Sequence, residues 1–417
     1  MMKFLLIYFY VFILILNAQT LSVEEAIDEA LKNHPDIKKL SLGVQLSGSL
    51  VDVAKADYLP QLNVGAQYNP HNTFIMPQNG QFKTITDDNW QLEAQLNQKI
   101  YDFSKTTSII KAYEKNKDIA SLSLKDAKAL LIHNVKNIYD AALFQTKALE
   151  VRKKDLRTKE ELYKQAQALV REGLKTEADA TTILSAVYNA EDALGTTKAD
   201  LKKALSALSF YMGKKVDLET DLIDNLPSLA GQNKESIIGE SYVNNFALKG
   251  LKEEIVKEGL MYKAAKAKNY GSIDAVASYT HQNSINEYDT SMIGIGITIP
   301  LYSGGRISAQ TEETRISQEM AKESYNAKKL LLQEEIDTLM IDLERYEHTI
   351  KAKEALIDSS RATKEIVEAR YKEGLSTYIE ILDAASTSLY AELDLLEAKF
   401  SIKRVMNRLE YLRGERV

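Results

Sequence analysis

Two stretches of this 417-residue chain, 201 positions apart, carry the same short pattern with the same internal spacing. Val170-Arg171-Glu172-Gly173-Leu174-Lys175-Thr176 returns as Tyr371-Lys372-Glu373-Gly374-Leu375-Ser376-Thr377, and Ile100-Tyr101-Asp102 returns as Leu301-Tyr302-Ser303. The 72 residues from Tyr101 to Glu172 therefore match those from Tyr302 to Glu373 without insertion. A duplication kept to the residue over such a distance implies two equal rods that end at one height. Upstream, Asn33 to Lys38, Ala56 and Tyr68 align with Asn244 to Lys249, Ala267 and Tyr279 at an offset of 211, which leaves ten extra residues between Tyr68 and Tyr101. Pro70, Pro77, Asn79 and Gly80 mark that stretch as a long loop.

Each half reads as helix, strand, loop, strand, long helix, turn, helix. Ser22 with Glu25 three residues on forms a capping box for the first helix, and Pro35 interrupts it before a second that runs to about Asp57. The rods cover residues 103–171 and 306–372, each about 100 Å long at roughly 1.5 Å per residue. Val135, Ala142, Leu149, Leu156, Tyr163 and Val170 recur every seven residues. The second rod has Ile336, Leu343, Ile350, Ile357 and Tyr371, with Lys364 breaking the series. A sustained period of seven predicts side-by-side helices with coiled-coil packing. Return helices span 176–211 and 377–412, and a further helix is expected from Ile237 to Lys268. The first repeat thus occupies 19–213, an equatorial connection 214–236 and the second repeat 237–413, with a short tail over 414–417.

The strands have a period of two. Ile293, Ile295, Ile297 and Ile299 alternate with Gly294, Gly296 and Thr298; Trp90, Leu92, Ala94 and Leu96 alternate with Gln91, Glu93, Gln95 and Asn97. Strand pairs at about 58–69 with 89–101, and 270–281 with 289–301, have the length and pattern of transmembrane barrel strands. Tyr58, Tyr68, Trp90, Tyr101, Tyr270, Tyr279 and Tyr302 fall near their ends, where interfacial girdles lie. A soluble sheet with one wet face also alternates, but these rods are committed to lengthwise packing, which leaves nothing to cover the apolar face. The isoleucines are accordingly assigned to lipid, and Gln91, Glu93 and Gln95 to a barrel lumen. Four strands cannot close a barrel, so other copies must supply the rest. Two copies give eight strands and a filled interior; twelve or more leave an aqueous channel.

Composition narrows the chemistry. With 53 Lys plus Arg against 59 Asp plus Glu the net charge is −6, which is not the footprint of a general nucleic-acid binder. The absence of cysteine excludes disulfides, thiolate metal sites and a cysteine nucleophile. The five histidines show no ligand spacing, and no nucleotide or triad motif is present, so neither a cofactor, a metal nor an enzymatic activity is expected. Lys3 ahead of the apolar run Phe4 to Leu16, closed by Asn17 and Ala18, reads as a signal peptide over residues 1–18.

Taken in order, the duplicated Gly-Leu-x-Thr turns, Arg370-Tyr371-x-x-Gly374 followed by Glu380, Leu382, Asp383 and Ala384, Asn33-His34-Pro35 and Pro300-Leu301-Tyr302-x-Gly304-Gly305 resemble the TolC family of outer-membrane efflux and secretion channels. The resemblance implies a mainly α protein with membrane β: a long coiled-coil-like α-helical barrel in the periplasm plus four transmembrane β-strands per chain, closing as a twelve-strand barrel in a homotrimer. It implies a passive exit duct of a tripartite efflux pump or type I secretion system, gated at its periplasmic tips. The partners it implies are a periplasmic adaptor (membrane fusion protein), an inner-membrane transporter and outer-membrane lipid. The adaptor would meet Glu172, Gly173, Leu174, Lys175 and Thr176 on one tip and Glu373, Gly374, Leu375, Ser376 and Thr377 on the other; relatives have Val where this chain has Glu172 and Glu373. Asp179, Tyr371, Glu380 and Asp383 would ring the aperture. Ser376 stands where relatives have arginine, and Lys175, its repeat equivalent, is expected to latch the tip to Glu380 or Asp383. A periplasmic coiled-coil adaptor or scaffold is the alternative, although such proteins normally lack a whole-chain duplication with two amphipathic strand pairs.

Overall fold

Capping and backbone geometry set the helix ends. Ser22 accepts from the Glu25 amide and its own amide donates to the Glu25 carboxylate, so the capping box opens helix α1 (Val23–Asn33) after a two-residue strand β1 (Thr20–Leu21). The computed structural model describes residues 20–224, 233–283 and 285–414. The expected signal peptide, residues 225–232 of the connection and residues 415–417 of the tail lie outside the described residues.

Next come α2 (Pro35–Ala56), β2 (Gln61–Gln78), β3 (Gln81–Tyr101), the first rod α3 (Lys105–Arg171) and its return helix α4 (Glu177–Met212). The second half follows with β4 (Asp221–Leu222), α5 (Lys234–Asn244), α6 (Phe246–Ala267), β5 (Ser272–Asn283), β6 (Glu287–Thr298), the second rod α7 (Arg306–Lys372) and α8 (Tyr378–Arg413). Both rods are 67 residues long and both return helices 36. Two departures from the sequence reading have physical causes. The helix expected from Ile237 to Lys268 is broken at Asn245, whose side chain caps the Leu248 amide at 3.1 Å; Asn245 is the repeat equivalent of His34, where α1 gives way to α2. The ten extra residues of the first half do not form a loop. They lengthen β2 and β3 into a hairpin paired out to Gln78 and Gln81, turned at Asn79 and Gly80 with φ of 55° and 76°. Asn-Gly with two positive φ angles favours a tight hairpin. Pro70 lies in the bulge between Asn69 and Asn72 and Pro77 on a sheet-edge strand, where the missing amide is tolerated.

The contacts divide the chain into two units. One comprises Asp36–Ala127 and Ile238–Glu334 and contains the four-stranded antiparallel sheet in the order β2-β3-β5-β6. Its register aligns the alternation: Val64 faces Ala94, Ala94 faces Tyr279, Leu96 faces Ala277 and Ala277 faces Ile293, so the apolar series of all four strands share one face. Gly65, Glu93 and Thr280 pair in turn on the other. Strand meets rod through a two-residue left-handed joint in each half: Gly304 and Gly305 with φ of 63° and 81°, and their equivalents Phe103 and Ser104 with φ of 54° and 69°. Buried Asp102 seals the first joint by accepting from the Thr106 amide at 2.8 Å and from its hydroxyl.

The other unit comprises, among the described residues, 20–35, 128–224, 233–237 and 335–414. Here the seven-residue series is the core: Val135, Ala142, Ile336, Leu343, Ile357 and Tyr371 are buried. Lys364, the break in that series, is half-buried and pairs with Glu368 at 3.6 Å. β1 pairs in parallel with β4, and the Tyr139 hydroxyl lies 2.7 Å from the Leu21 carbonyl and 2.9 Å from that of Ile223, a proton shared between the two strand ends. Buried Lys403 joins Asp224 at 2.9 Å and Asp140 at 3.4 Å, so its charge is compensated.

Candidate channel wall and periplasmic tips

The sheet carries the membrane-facing candidates. Ile293, Ile295, Ile297 and Ile299 are all exposed, Ile293 at 90%, and nothing in this unit covers their face. Gln91, Glu93 and Gln95 project to the opposite face by the strand alternation and the register. Neither β2 nor β6 has a strand on its outer side among the described residues, so two rows of backbone donors and acceptors remain open. Aromatic contacts mark both ends of the apolar band: Tyr101 with Phe103 at 4.9 Å and Phe103 with Tyr270 at 5.2 Å at one, Trp90 with His281 at 5.0 Å at the other. No described helix is long and apolar enough to cross a membrane.

The tips are built alike. Each rod ends in a glycine at φ 74°, Gly173 or Gly374; the next amide, of Leu174 or Leu375, reaches back five residues to the carbonyl of Leu169 at 2.9 Å or Arg370 at 2.8 Å. The glycine amides bond three residues back, to Val170 and Tyr371, completing the bonding pattern of a left-handed helix stop. Thr176 and Thr377 then open the return helices with capping boxes to Asp179 and Glu380. Leu174 and Leu375 stay 61% and 69% exposed, and Glu172 and Glu373 are exposed beside them. Beneath lies a small core of Leu162, Ala166, Ala180, Ile183, Tyr371 and Ile381.

The expected aperture residues are brought together only in part. Lys175 donates to the Ser376 carbonyl at 2.9 Å and sits 5.5 Å from the Tyr371 ring centre, rather than pairing with Glu380 or Asp383. Asp179 is occupied by the Thr176 amide at 3.0 Å. Glu380 accepts from the buried Ser376 hydroxyl and from the Thr377 amide, which, with Arg370 and Lys175 nearby, hold its carboxyl below the usual range. Asp383 is exposed. Tyr371 is fully buried with no partner for its hydroxyl among the described residues, and burial together with the Asp179 charge pushes its pKa up. Arg370, quoted in the sequence for its motif but given no role there, donates to the Leu375 carbonyl at 3.3 Å and so fixes the second turn.

An amphipathic antiparallel sheet with an uncovered apolar face, together with duplicated 67-residue helices, defines an outer-membrane channel protein. The outer membrane efflux protein family model matches residues 26–214 and 238–415. The chain belongs to that family of channel proteins, and its place is the outer membrane. It is 22% identical over 387 residues to the outer membrane efflux protein BepC of Brucella suis, covering 90% of this chain and 82% of BepC. To the outer membrane protein TolC of Escherichia coli it is 21% identical over 406 residues, covering 92% and 80%. The crystal structure of the outer membrane protein VceC of Vibrio cholerae superposes with a TM-score of 0.83 at 16% identity, over 94% of this chain and 96% of that one. Membership in this family disposes of the adaptor and scaffold alternative.

Proposed function

We propose that three copies close into a twelve-strand barrel and act as the passive exit duct of a tripartite efflux pump or type I secretion system, gated at the periplasmic tips. The observation that carries this reading is the four-stranded sheet with one face uncovered and both edges unpaired. In lipid every backbone polar group must be bonded, so the edge of β6 needs the β2 edge of another copy. Two copies would close only eight strands, a barrel whose interior side chains fill; three leave a lumen for the Gln91, Glu93 and Gln95 face. The exposed stripe Leu42, Leu46 and Val53 on α2 supplies a second surface in need of a neighbour.

The exposed Leu174 and Leu375 form the adaptor-binding tips, flanked by Glu172, Lys175, Thr176, Glu373 and Thr377, and the adaptor in turn joins an inner-membrane transporter. Lys175, Tyr371, Asp179, Glu380 and Asp383 form the aperture, in which Lys175 clasps the two turns of one protomer. Native mass spectrometry of the detergent-purified chain tests the assembly: a trimer is expected, and a monomer or dimer overturns the reading. Photo-crosslinking from positions 174 and 375 in cells tests the tips, with capture of a periplasmic adaptor expected and its absence at both positions counting against them.

A further inference from the structure

One face of the lengthened hairpin changes polarity above the level where the sheet narrows. Pairing of β3 with β5 stops at Trp90 and Asn283, and the bulge between Asn69 and Asn72 lies at the same level. Beyond it β2 and β3 continue alone to the Asn79-Gly80 turn. Below the bulge the face shared by Gln61, Asn63, Gln67, Gln91, Glu93 and Gln95 is polar. Above it, the same face holds Asn72 opposite Asp87, then the directly paired Phe74 and Ile85, then Met76 opposite Lys83. Alternation puts Thr73, Ile75, Pro77, Phe82, Thr84 and Thr86 on the other face. An apolar pair thus stands above the Asn72 and Asp87 pair on the amide-lined face, and among the described residues the hairpin has no strand on either side.

We infer that the Phe74, Ile85 and Met76 face of this hairpin is a contact between copies, in which three hairpins lean together and form an apolar constriction at the outer mouth of the barrel. The inference rests on the trimeric reading above. Its geometry is modest: twelve strands about 4.8 Å apart and tilted by about 40° give a barrel radius of about 12 Å. The hairpin overhangs by roughly 25 Å, so a lean of about 25° carries its tip about 10 Å towards the axis. Aromatic and aliphatic side chains span the remainder, and the aliphatic stem of Lys83 lets its ammonium stay in water. A second copy is the favoured occupant because the surface continues upward from the edges that copies must already share, and because the apolar side chains lie on the lumen side of that wall. An apolar ring at a pore mouth restricts passage by dewetting.

Because the chain has no cysteine, a single thiol can be placed at will. Phe74→Cys, Ile85→Cys and the opposite-face control Ile75→Cys, each in the full chain in outer membranes, are oxidised with copper phenanthroline. The expected result is disulfide-linked dimers from Phe74→Cys and Ile85→Cys, none from Ile75→Cys, and protection of the first two from a bulky maleimide applied outside intact cells. Trimers that fail to link at both 74 and 85, or that link equally at 75, overturn the contact while leaving the trimer standing. If the unmodified chain is not a trimer, the assembly itself fails and the contact falls with it.

Discussion

Lys175 donates to the main-chain carbonyl of Ser376 at 2.9 Å, so two residues at equivalent positions of the duplication, 201 apart, hold each other. The bond crosses from one helical turn to the other within a protomer, and the same ammonium lies over the Tyr371 ring. A charged donor on a carbonyl beside a buried aromatic is stronger than a neutral hydrogen bond. Its loss frees both turns while leaving their glycine stops intact. Lys175→Ala is therefore expected to raise single-channel conductance in planar bilayers. Conductance equal to that of the unsubstituted protein would mean that the clasp plays no part in gating.

The joint between strand and rod offers a test through stability. Gly304 and Gly305 adopt left-handed backbone freely, but Phe103 and Ser104 adopt it at the cost of a Cβ clash. Phe103 offsets the cost with ring contacts to Tyr101 and Tyr270, whereas the Ser104 side chain makes no hydrogen bond among the described residues. Ser104→Gly should stabilise the protein by about 1 kcal/mol, the relief of one left-handed non-glycine residue less the added freedom of the unfolded chain. A rise in the thermal midpoint of the purified protein checks this; a fall would show that the serine itself is needed.

His133 makes part of the stability depend on pH. Its Nδ1 bonds the Asn407 carbonyl at 3.1 Å and its Nε2 faces the Asn137 amide at 3.0 Å; Asn137 is oriented by Asn407, whose amide donates to its oxygen at 3.1 Å. Both ring nitrogens are thus satisfied in the neutral form with the proton on Nδ1. Burial, then the nearby Arg408 and Lys136 charges, lowers the pKa despite the carbonyl bond. The unfolded chain binds the proton more tightly, so this stability is present above about pH 6.5 and is lost as pH falls from there through the folded value. Asp140 acts in the opposite sense: burial raises its pKa, and its protonation on acidification favours the fold. His133→Gln should therefore lose less thermal stability than the unsubstituted protein between about pH 7.5 and 5.5. Equal losses would count against His133 as the titrating group.

Much of this is legible in the sequence wherever the signal is local. Ser22 with Glu25 specifies a cap within four residues, and the Ile293 to Ile299 alternation assigns faces without knowing the partners. The register then had to align those faces, and it did. The hairpin is not legible in the sequence because Pro70 and Pro77 argue against a strand in isolation; only their position on an edge and at a bulge makes them acceptable, and an edge is a property of the sheet. The Asn245 break was available through its alignment with His34 but not from helix periodicity, which runs through it. The partner of Lys175 was out of reach for another reason. Sequence displays carboxylates such as Glu380 and Asp383, whereas the ammonium chose a backbone carbonyl, which every residue has.

The most direct test of the account is which face of the sheet meets hydrocarbon. Nitroxide labels attached through Ile295→Cys and Glu93→Cys, each in protein reconstituted into lipid, report collision with dissolved oxygen and with a water-soluble nickel chelate. The account predicts an Ile295 label relaxed by oxygen and shielded from nickel, and a Glu93 label with the reverse preference. Nickel access at Ile295 equal to that at Glu93 would contradict it.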